Sequence, residues 1–326
     1  KRVSHELLNA FELLYSCAPG EIQTQLQPLG TGGMVLRSNM ADQPFIVDTI
    51  RLLLDSAGAQ HESGFNAVLP IGRDETGCLL RVGQEGDPFE SITEFEISGM
   101  ANTDLKALEL SLQGNLRLAR AMVRDFGSIT TAVDRVAGRF CRLATRQGPA
   151  GEHLQEAAEF LRWLLTDNFV FMGALDGDML SGFEAQDMAG TWNTSSLPQD
   201  SECEWGDLPI QVVKGLRESP VHRAGRVDEI RVRVPDESGD ASHIMVLRGM
   251  FTFRAVTQPS RSVPILRRML AKMLANETAR PGSWRYKGVA NVFDSLPTEY
   301  LFTAEIQEVS GMVDRVLDAE AGQQVQ

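Results

Sequence analysis

Apolar residues recur at two different spacings along the chain, and the change of spacing marks the predicted elements. Four short stretches alternate apolar and polar residues, as half-buried strands do: GMVLRS (33–38), GFNAVLPIGRD (64–74), CLLRVG (78–83) and SITEFEISGM (91–100). Between the first two, apolar residues from Phe45 to Leu54 recur by threes and fours, which is typical of a helix packed on one face. The pattern therefore predicts the order strand, helix, strand, strand, strand, followed by a second helix.

The first predicted helix has recognisable start and stop signals. Asp42 is expected to cap it, with Pro44 in the first turn, where no amide hydrogen is missed. Gly58 is expected to end it in a left-handed conformation. Asp48, Arg51 and Asp55 fall on the opposite, solvated side, at spacings that allow weak ion pairs.

The second predicted helix carries one narrow apolar seam from Leu105 to Phe126. A new helix is expected to start at Gly127, capped by Ser128, and to break at RQGPAGE (146–152). A further helix then runs to Asp167. We read residues 127–167 as a helical connector behind a first domain over 1–126.

The remainder, 168–326, is predicted to be a second α+β unit. FVFMGAL (169–175) opens it as a strand, and two more strands surround PDESGDAS (235–242). A helix opens at Ser262 with Pro264 in its first turn, and the last helix covers about Thr303 to Ala319. The predicted fold class is thus α+β, with antiparallel sheets that have helices on one face.

Composition narrows the classes of partner. The formal net charge of −13 argues against nucleic acid, which proteins hold through lysine and arginine contacts to phosphate. No stretch has the ~18 apolar residues that a membrane helix needs. The cysteines Cys17, Cys78, Cys141 and Cys203 are widely spaced, which favours reduced thiols and a cytoplasmic location.

The sequence contains few residues arranged as a catalytic, metal or cofactor site would require. The five histidines have no second ligand at metal-binding spacing, and the glycines of LGTGGMV (29–35) precede a strand instead of following one, unlike a dinucleotide cradle. We therefore predict no catalytic residue, no metal and no bound cofactor in this chain. One segment, ESPVHRAGRVDEIRVRV (218–234), concentrates cations: it is either a site for an anion or acidic partner or a solvated strand face.

Several segments, in the same order, resemble the N-terminal region of the large bacterial NAD-specific glutamate dehydrogenases. DQPFIVDT (42–49) resembles that family's D-x-P-F-[LIV]-V-D-[ST] signature. The other similar segments are ITEFEI (92–97), LRWLLTDNFVFMGAL (161–175), SPVHR (219–223), LRGMFTF (247–253) and VPILRR (263–268). The chain departs from the family at SWRYK (283–287) and LPTEYLF (296–302), which marks it as divergent.

The resemblance implies an ACT-like unit, the helical connector and a PAS-like or ACT-like second unit, with the NAD-dependent dehydrogenase domain further along the same polypeptide. It implies a regulatory and oligomerising region, non-catalytic by itself, of an enzyme that deaminates L-glutamate to 2-oxoglutarate. In ACT-like folds the loop before the first helix lies near an amino-acid effector site or a subunit interface. The effector-binding candidates are Asp42, Gln43, Asp48, His222, Arg223, Arg226 and Arg231.

The resemblance also implies self-association, for which the Leu105–Phe126 seam is the candidate surface. The alternative is a stand-alone ACT/PAS-type small-molecule sensor or scaffold protein.

Overall fold

The chain forms two compact units in a computed structural model that describes residues 13–15, 20–29, 33–100, 104–177, 179–183, 203, 205–276 and 280–324. The first unit contains residues 1–124 together with 218–225, and the second contains 125–217 and 226–326. The chain therefore passes between the units three times. Cys17, the glycines at 30 and 32 and much of the loop region before residue 205 lie outside the described residues.

The first unit is built on a five-stranded antiparallel sheet. Its strands are β1 (Gln23–Pro28), β2 (Met34–Ala41), β3 (Gln60–Arg73), β4 (Leu79–Val82) and β5 (Phe89–Ser98), in the spatial order β1-β2-β5-β3-β4. Helix α1 (Ile46–Ser56) connects β2 to β3, and helix α2 (Leu105–Gln147) follows β5. The predicted α+β class is confirmed, and β1 is a strand that the periodicity did not reveal.

Both helices pack on the same face of this sheet. Leu36 and Met40 of β2 and Phe95 and Ile97 of β5 form one apolar cluster with residues of α1 and α2. The helix residues in this cluster are Ile46, Ile50, Leu54, Leu108, Leu112 and Leu116. The seam predicted from Leu105 onward is thus largely used inside the unit, because Leu108, Leu112 and Leu116 are buried.

The opposite face of the sheet is polar but also buried. The Arg37 guanidinium donates to Glu94 at 2.6 Å, and the two side chains are only 3% and 11% exposed. Gln27 also accepts from Arg37, at 3.1 Å. On the same face Asn39 donates to Glu90 at 2.9 Å. Burial of such charges is tolerated because each is paired.

The predicted start of α1 is wrong by one turn, and its predicted end is confirmed. The residue before the helix is Phe45, and no side chain caps the first turn. Asp42 lies further back, where its amide donates to the carbonyl of Phe89 at 2.9 Å. Pro44 is likewise outside the helix. At the other end Gly58 has φ +74°, and the amide of Ala59 donates to the carbonyl of Leu54 at 3.0 Å, which is a Schellman motif.

The prediction that a new helix starts at Gly127 is wrong, because α2 includes this residue. The helix continues without a break through Gly127 and Ser128, so Ser128 is not a cap. The Ser128 hydroxyl instead donates to the carbonyl of Asp125 at 2.7 Å, within the helix. The break at RQGPAGE is real: a 3-10 turn over Gly148–Gly151 separates α2 from α3 (Glu152–Trp163).

The second unit has a second antiparallel sheet. Its strands are β6 (Phe169–Asp176), β7 (Met179–Gly182), β8 (Ile210–Glu218), β9 (Arg226–Pro235) and β10 (Ala241–Phe251), in the order β7-β6-β10-β9-β8. Five helices follow along the chain: α4 (Phe253–Thr257), α5 (Pro264–Asn276), α6 (Trp284–Ser295), α7 (Thr298–Thr303) and α8 (Ile306–Gln324). Pro264 is the first residue of α5, as predicted.

Residues of α2 beyond Ile129, of α3 and of α5–α8 share one apolar core with strands β6, β9 and β10. The ring of Phe251 stacks on that of Phe302 with centroids 4.2 Å apart. Beside it, Asp167 takes φ +58° in the π-turn Leu164–Asn168, and the Thr252 hydroxyl donates to its carbonyl at 2.8 Å. The motif segments LRWLLTDNF and LRGMFTF therefore meet in this core, where they have a structural role.

Candidate functional site

The start of α1 meets the segment 218–225, which belongs to the first unit although it follows β8 in the chain. The His222 ring packs against Phe45 in an edge-on arrangement, with centroids 5.0 Å apart. The His222 amide donates to the hydroxyl of Thr49 at 3.4 Å, and its Nδ1 lies 4.0 Å from a carboxylate oxygen of Asp48. Two of the segments that resemble the glutamate dehydrogenases, DQPFIVDT and SPVHR, are therefore in direct contact.

Both residues of the ring contact have unusual backbone conformations. Phe45 has φ +74° and His222 has φ +72°, a region in which an L side chain costs roughly 1–2 kcal/mol. Such conformations persist where the surrounding structure holds them, and they concentrate at functional sites. The same geometry leaves the first turn of α1 without a side-chain cap, because Phe45 carries no oxygen to accept from its amides.

The segment that carries His222 is fixed by its own hydrogen bonds. The Ser219 amide donates to the carbonyl of Gly225 at 2.9 Å, and the Ser219 hydroxyl donates to the carbonyl of Val221 at 2.6 Å. Val221 itself is fully buried. The turn is therefore closed at its base and anchored at its middle, which positions His222 over α1.

The surroundings of His222 hold its ring in the neutral form. Burial lowers the pKa of His222 below the ordinary imidazole value, and the charge of Arg223 acts in the same direction, while Asp48 opposes both. Nδ1 of His222 is buried without a hydrogen-bond partner. A neutral imidazole can donate from one nitrogen and accept at the other, so the buried Nδ1 leaves one hydrogen bond unmade.

The other predicted site residues do not form one cluster. Asp42 and Gln43 lie just before α1, with Asp42 exposed, and Arg223 is exposed beside His222. Arg226 starts β9 in the second unit. Arg231, also in the second unit, donates to Glu229 at 2.7 Å.

Arg231 and Glu229 are part of a local ion-pair group. Glu229 also accepts twice from the buried Arg248, at 3.1 Å. The charge of Arg231 is therefore balanced by a neighbouring carboxylate, but neither side chain is solvated, since Arg231 is 22% and Glu229 16% exposed. On the same strand, burial raises the pKa of Asp228, although Lys214 lies 2.8 Å from its carboxylate.

A cleft of about 510 Å³ lies on the first unit between α1 and β3. Arg51 lies on its wall, with the guanidinium carbon 5.7 Å from the centre of the Phe95 ring. Asp55 is paired with His61 at 2.9 Å at one end. Sequence reasoning assigned Arg51 and Asp55 to a solvated helix side and missed the cleft, because periodicity gives the side of a helix but not what the next strand places there.

Among the described residues, no group of three or more histidines, cysteines, aspartates or glutamates is arranged to hold a metal ion. Within the same residues, no helix is both long and apolar enough to cross a membrane.

Two segments of the chain match family models of glutamate dehydrogenase domains. Residues 33–112 match a family model described as the ACT1 domain of glutamate dehydrogenase, and residues 263–321 match one described as helical motif 1 of glutamate dehydrogenase. The first match covers β2 to β5, α1 and the start of α2. The second covers all of α5, α6 and α7 and most of α8. The part of the first unit over residues 33–112 is thus similar to the ACT1 domain of glutamate dehydrogenases.

Two relatives with similar sequences are NAD-specific glutamate dehydrogenases. The chain is 28% identical over 301 residues to the NAD-specific glutamate dehydrogenase of Halomonas elongata, which covers 85% of the chain and 19% of that protein. It is 25% identical over 291 residues to the NAD-specific glutamate dehydrogenase of Pseudomonas aeruginosa, covering 82% of the chain and 18% of that protein. These findings confirm that the chain resembles the N-terminal region of the NAD-specific glutamate dehydrogenases. It spans about a fifth of the length of these relatives.

Proposed function

We propose that this chain is the regulatory and oligomerising N-terminal region of a large NAD-dependent glutamate dehydrogenase, and that it is non-catalytic by itself. The observation that carries the proposal is the ACT1 match, whose residues coincide with the sheet and helices of the first unit. The parent reaction is the oxidative deamination of L-glutamate to 2-oxoglutarate with NAD. Its cofactor site lies in the downstream dehydrogenase domain, which is the partner of this region within one cytoplasmic polypeptide.

The regulatory ligand in this proposal is an amino acid bound by the first unit. Asp48 and His222 supply an anionic carboxylate and an unsatisfied ring nitrogen at the start of α1. On the next turn of the helix, Arg51 faces the cleft and offers a guanidinium to a carboxylate. A ligand with both an ammonium and a carboxylate group matches this arrangement, in which acidic and basic groups alternate along one helix.

The second unit takes the PAS-like role in the same proposal. Its cleft of about 550 Å³, with Leu266, Met269 and Phe302 among its lining residues, is the counterpart of a sensor pocket. At the rim, Asp207 pairs with Arg268 at 2.8 Å and with Lys272 at 2.6 Å. Burial acts to raise the pKa of Asp207, but these two cations outweigh it and hold the pKa below its ordinary value.

A melting screen tests the amino-acid ligand. Binding to the native state alone stabilises by about 2.7 kcal/mol at a hundredfold excess over Kd, and at about 2–4 °C per kcal/mol this shift is readily measured. The twenty amino acids are each added at millimolar concentration, and we expect at least one to raise the melting temperature. The hit is then repeated with Asp48→Asn, Arg51→Gln, His222→Ala and Arg223→Ala.

The control variant is His153→Ala, which changes a partly exposed histidine of the second unit. We expect the rise in melting temperature caused by that amino acid to be smaller in the four first-unit variants and unchanged in the control. No shift with any amino acid would contradict the effector role. A hit indifferent to all four substitutions would show that the ligand binds elsewhere.

A further inference from the structure

The cleft of the second unit is lined by α5, by the start of β8 and by the junction of α7 and α8. Its volume of about 550 Å³ is in the range of roughly 300–1,000 Å³ that small-molecule sites have. The most deeply buried lining residues are apolar, belong to the core of the second unit and are at most 8% exposed: Ile210, Val212, Leu266, Leu301 and Phe302. The cleft therefore opens directly onto the core, as a site for an apolar group does.

The wall that α5 contributes combines apolar and cationic side chains. Ile265 and Met269 are partly buried there, and Arg268 and Lys272 follow each of them by three positions. Residues three and four apart share one face of a helix, so each cation lies one turn from an apolar side chain. A ligand with an apolar body and an anionic end matches this wall.

Both cations contact one carboxylate oxygen. Oδ2 of Asp207 accepts from Nε of Arg268 at 2.8 Å and lies 2.6 Å from Nζ of Lys272. Among the described residues, the two terminal nitrogens of Arg268 have no hydrogen-bond partner. A guanidinium has five donors, so Arg268 can hold a second carboxylate. Two cations and one carboxylate also leave one positive charge, because the other carboxylate of the cleft, that of Glu305, belongs to the α7–α8 junction and is exposed to screening by water.

We propose that this cleft binds an organic monocarboxylate with an aliphatic or aromatic body, and that Asp207 competes with the carboxylate of the ligand for Arg268 and Lys272. The inference rests on the sensor role proposed above for the second unit and adds the chemical class of its ligand. The apolar body lies against Met269 and Phe302, and the carboxylate accepts from the terminal nitrogens of Arg268.

The position and charge of Asp207 permit this exchange. Asp207 lies before β8, whose first residue is Ile210, so its carboxylate can leave the two cations without breaking strand pairing. Burial acts to raise the pKa of Asp207, but Lys272 and Arg268 lower it below its ordinary value, so the group stays ionised at neutral pH and occupies the place of a ligand carboxylate. An amino acid fits less well, since its ammonium group would lie beside the same two cations.

Isothermal titration calorimetry of the whole chain with 3-phenylpropanoate tests the ligand class. We expect saturable binding, with 3-phenylpropanamide and acetate each about tenfold weaker or more, because the amide lacks the charge and acetate lacks the apolar body. The probe has no ammonium group, so the result is independent of the amino-acid site proposed for the first unit. Equal binding of the amide, or no saturable binding of 3-phenylpropanoate and hexanoate at millimolar concentration, would overturn this inference and leave the regulatory role to the amino-acid screen.

Two substitutions with opposite effects locate the site. Arg268→Gln should raise the Kd of 3-phenylpropanoate about tenfold, and Asp207→Asn should lower it about tenfold, since the competing carboxylate is gone. The control is Arg285→Gln, which changes an arginine of α6 that pairs with Asp314 of α8 outside the cleft and should leave Kd unchanged. Thermal melting checks that each variant is folded. An unchanged Kd in Arg268→Gln would overturn the location, and a Kd that does not fall in Asp207→Asn would overturn the competition.

Discussion

At the scale of single residues, the contact between Phe45 and His222 explains most about the candidate site. It holds two non-glycine residues in the left-handed region, and it removes much of the His222 ring from water, leaving its side chain 26% exposed. The nearby carboxylate of Asp48 does not compensate, because it is 4.0 Å away and itself 56% exposed. The neutral form of His222 is therefore the native one.

The stability of the chain should depend on pH through this residue. The pKa of His222 is lowered on folding by burial, so the unfolded chain binds a proton near its ordinary value of about 6.5 while the folded chain does not. Stability is complete above pH 6.5 and falls as the pH drops toward the folded pKa. Chemical denaturation at several pH values between 7.5 and 5 should show a smaller loss in His222→Gln than in the unsubstituted chain.

The control for this prediction is His153→Gln, which removes a partly exposed histidine whose Nδ1 lies 3.0 Å from the carbonyl oxygen of Ala150. It should keep the full pH dependence. If His222→Gln and the unsubstituted chain lose stability equally, the His222 ring is not held neutral by folding.

At the scale of elements, the sequence was most informative where one face of an element meets a core. The periodicity found α1, β2, β3, β5 and α5, because their apolar residues recur at spacings typical of helices or strands. It failed for β1, because half of its sequence QTQLQP is glutamine and only one leucine is present. It also failed for the start of α1, because no sequence pattern indicated the left-handed conformation of Phe45. A buried pair such as Arg37 and Glu94 is also invisible to a pattern that assigns charges to the surface.

Helix α2 shows how a local signal can be overridden. Gly127 and Ser128 favour a break, yet the helix is continuous from Leu105 to Gln147. Leu112 and Leu116, before Gly127, are buried in the core of the first unit, and Val133 and Phe140, after it, are buried in the core of the second. Burial along the whole helix outweighs a glycine, which costs about 0.5–1 kcal/mol relative to alanine.

Gly127→Ala should therefore stabilise the chain by about 0.5–1 kcal/mol, since a mid-helix alanine restricts the unfolded chain more. A methyl group at Gly127 would meet no atom within 4 Å. Chemical denaturation measures the change. Gly58→Ala is the matched control: its site is equally open, but its φ of +74° should make alanine destabilising by about 1 kcal/mol. A destabilising Gly127→Ala would mean that the helix breaks there.

For the whole molecule, the order of segments along the chain does not indicate which segments are in contact in the folded protein. Asp48 and His222 were both named from the sequence, but nothing in the sequence places them together, because the segment 218–225 joins the first unit from the middle of the second. The division into 1–126, 127–167 and 168–326 stays a prediction. The prediction that succeeded for the whole molecule is the resemblance to the N-terminal region of NAD-specific glutamate dehydrogenases, which the ACT1 and helical-motif matches confirm.

We propose that this region regulates and assembles a glutamate dehydrogenase but does not carry its cofactor site. Dinucleotide sites place the pyrophosphate at a helix start that follows a strand and a glycine-rich turn. In this chain the helix that follows β2 starts at Phe45 and Ile46, without glycine. Titration of the chain with NADH, followed by its fluorescence, is the most direct test. We expect no saturable change, whereas saturation in the micromolar range would contradict the account.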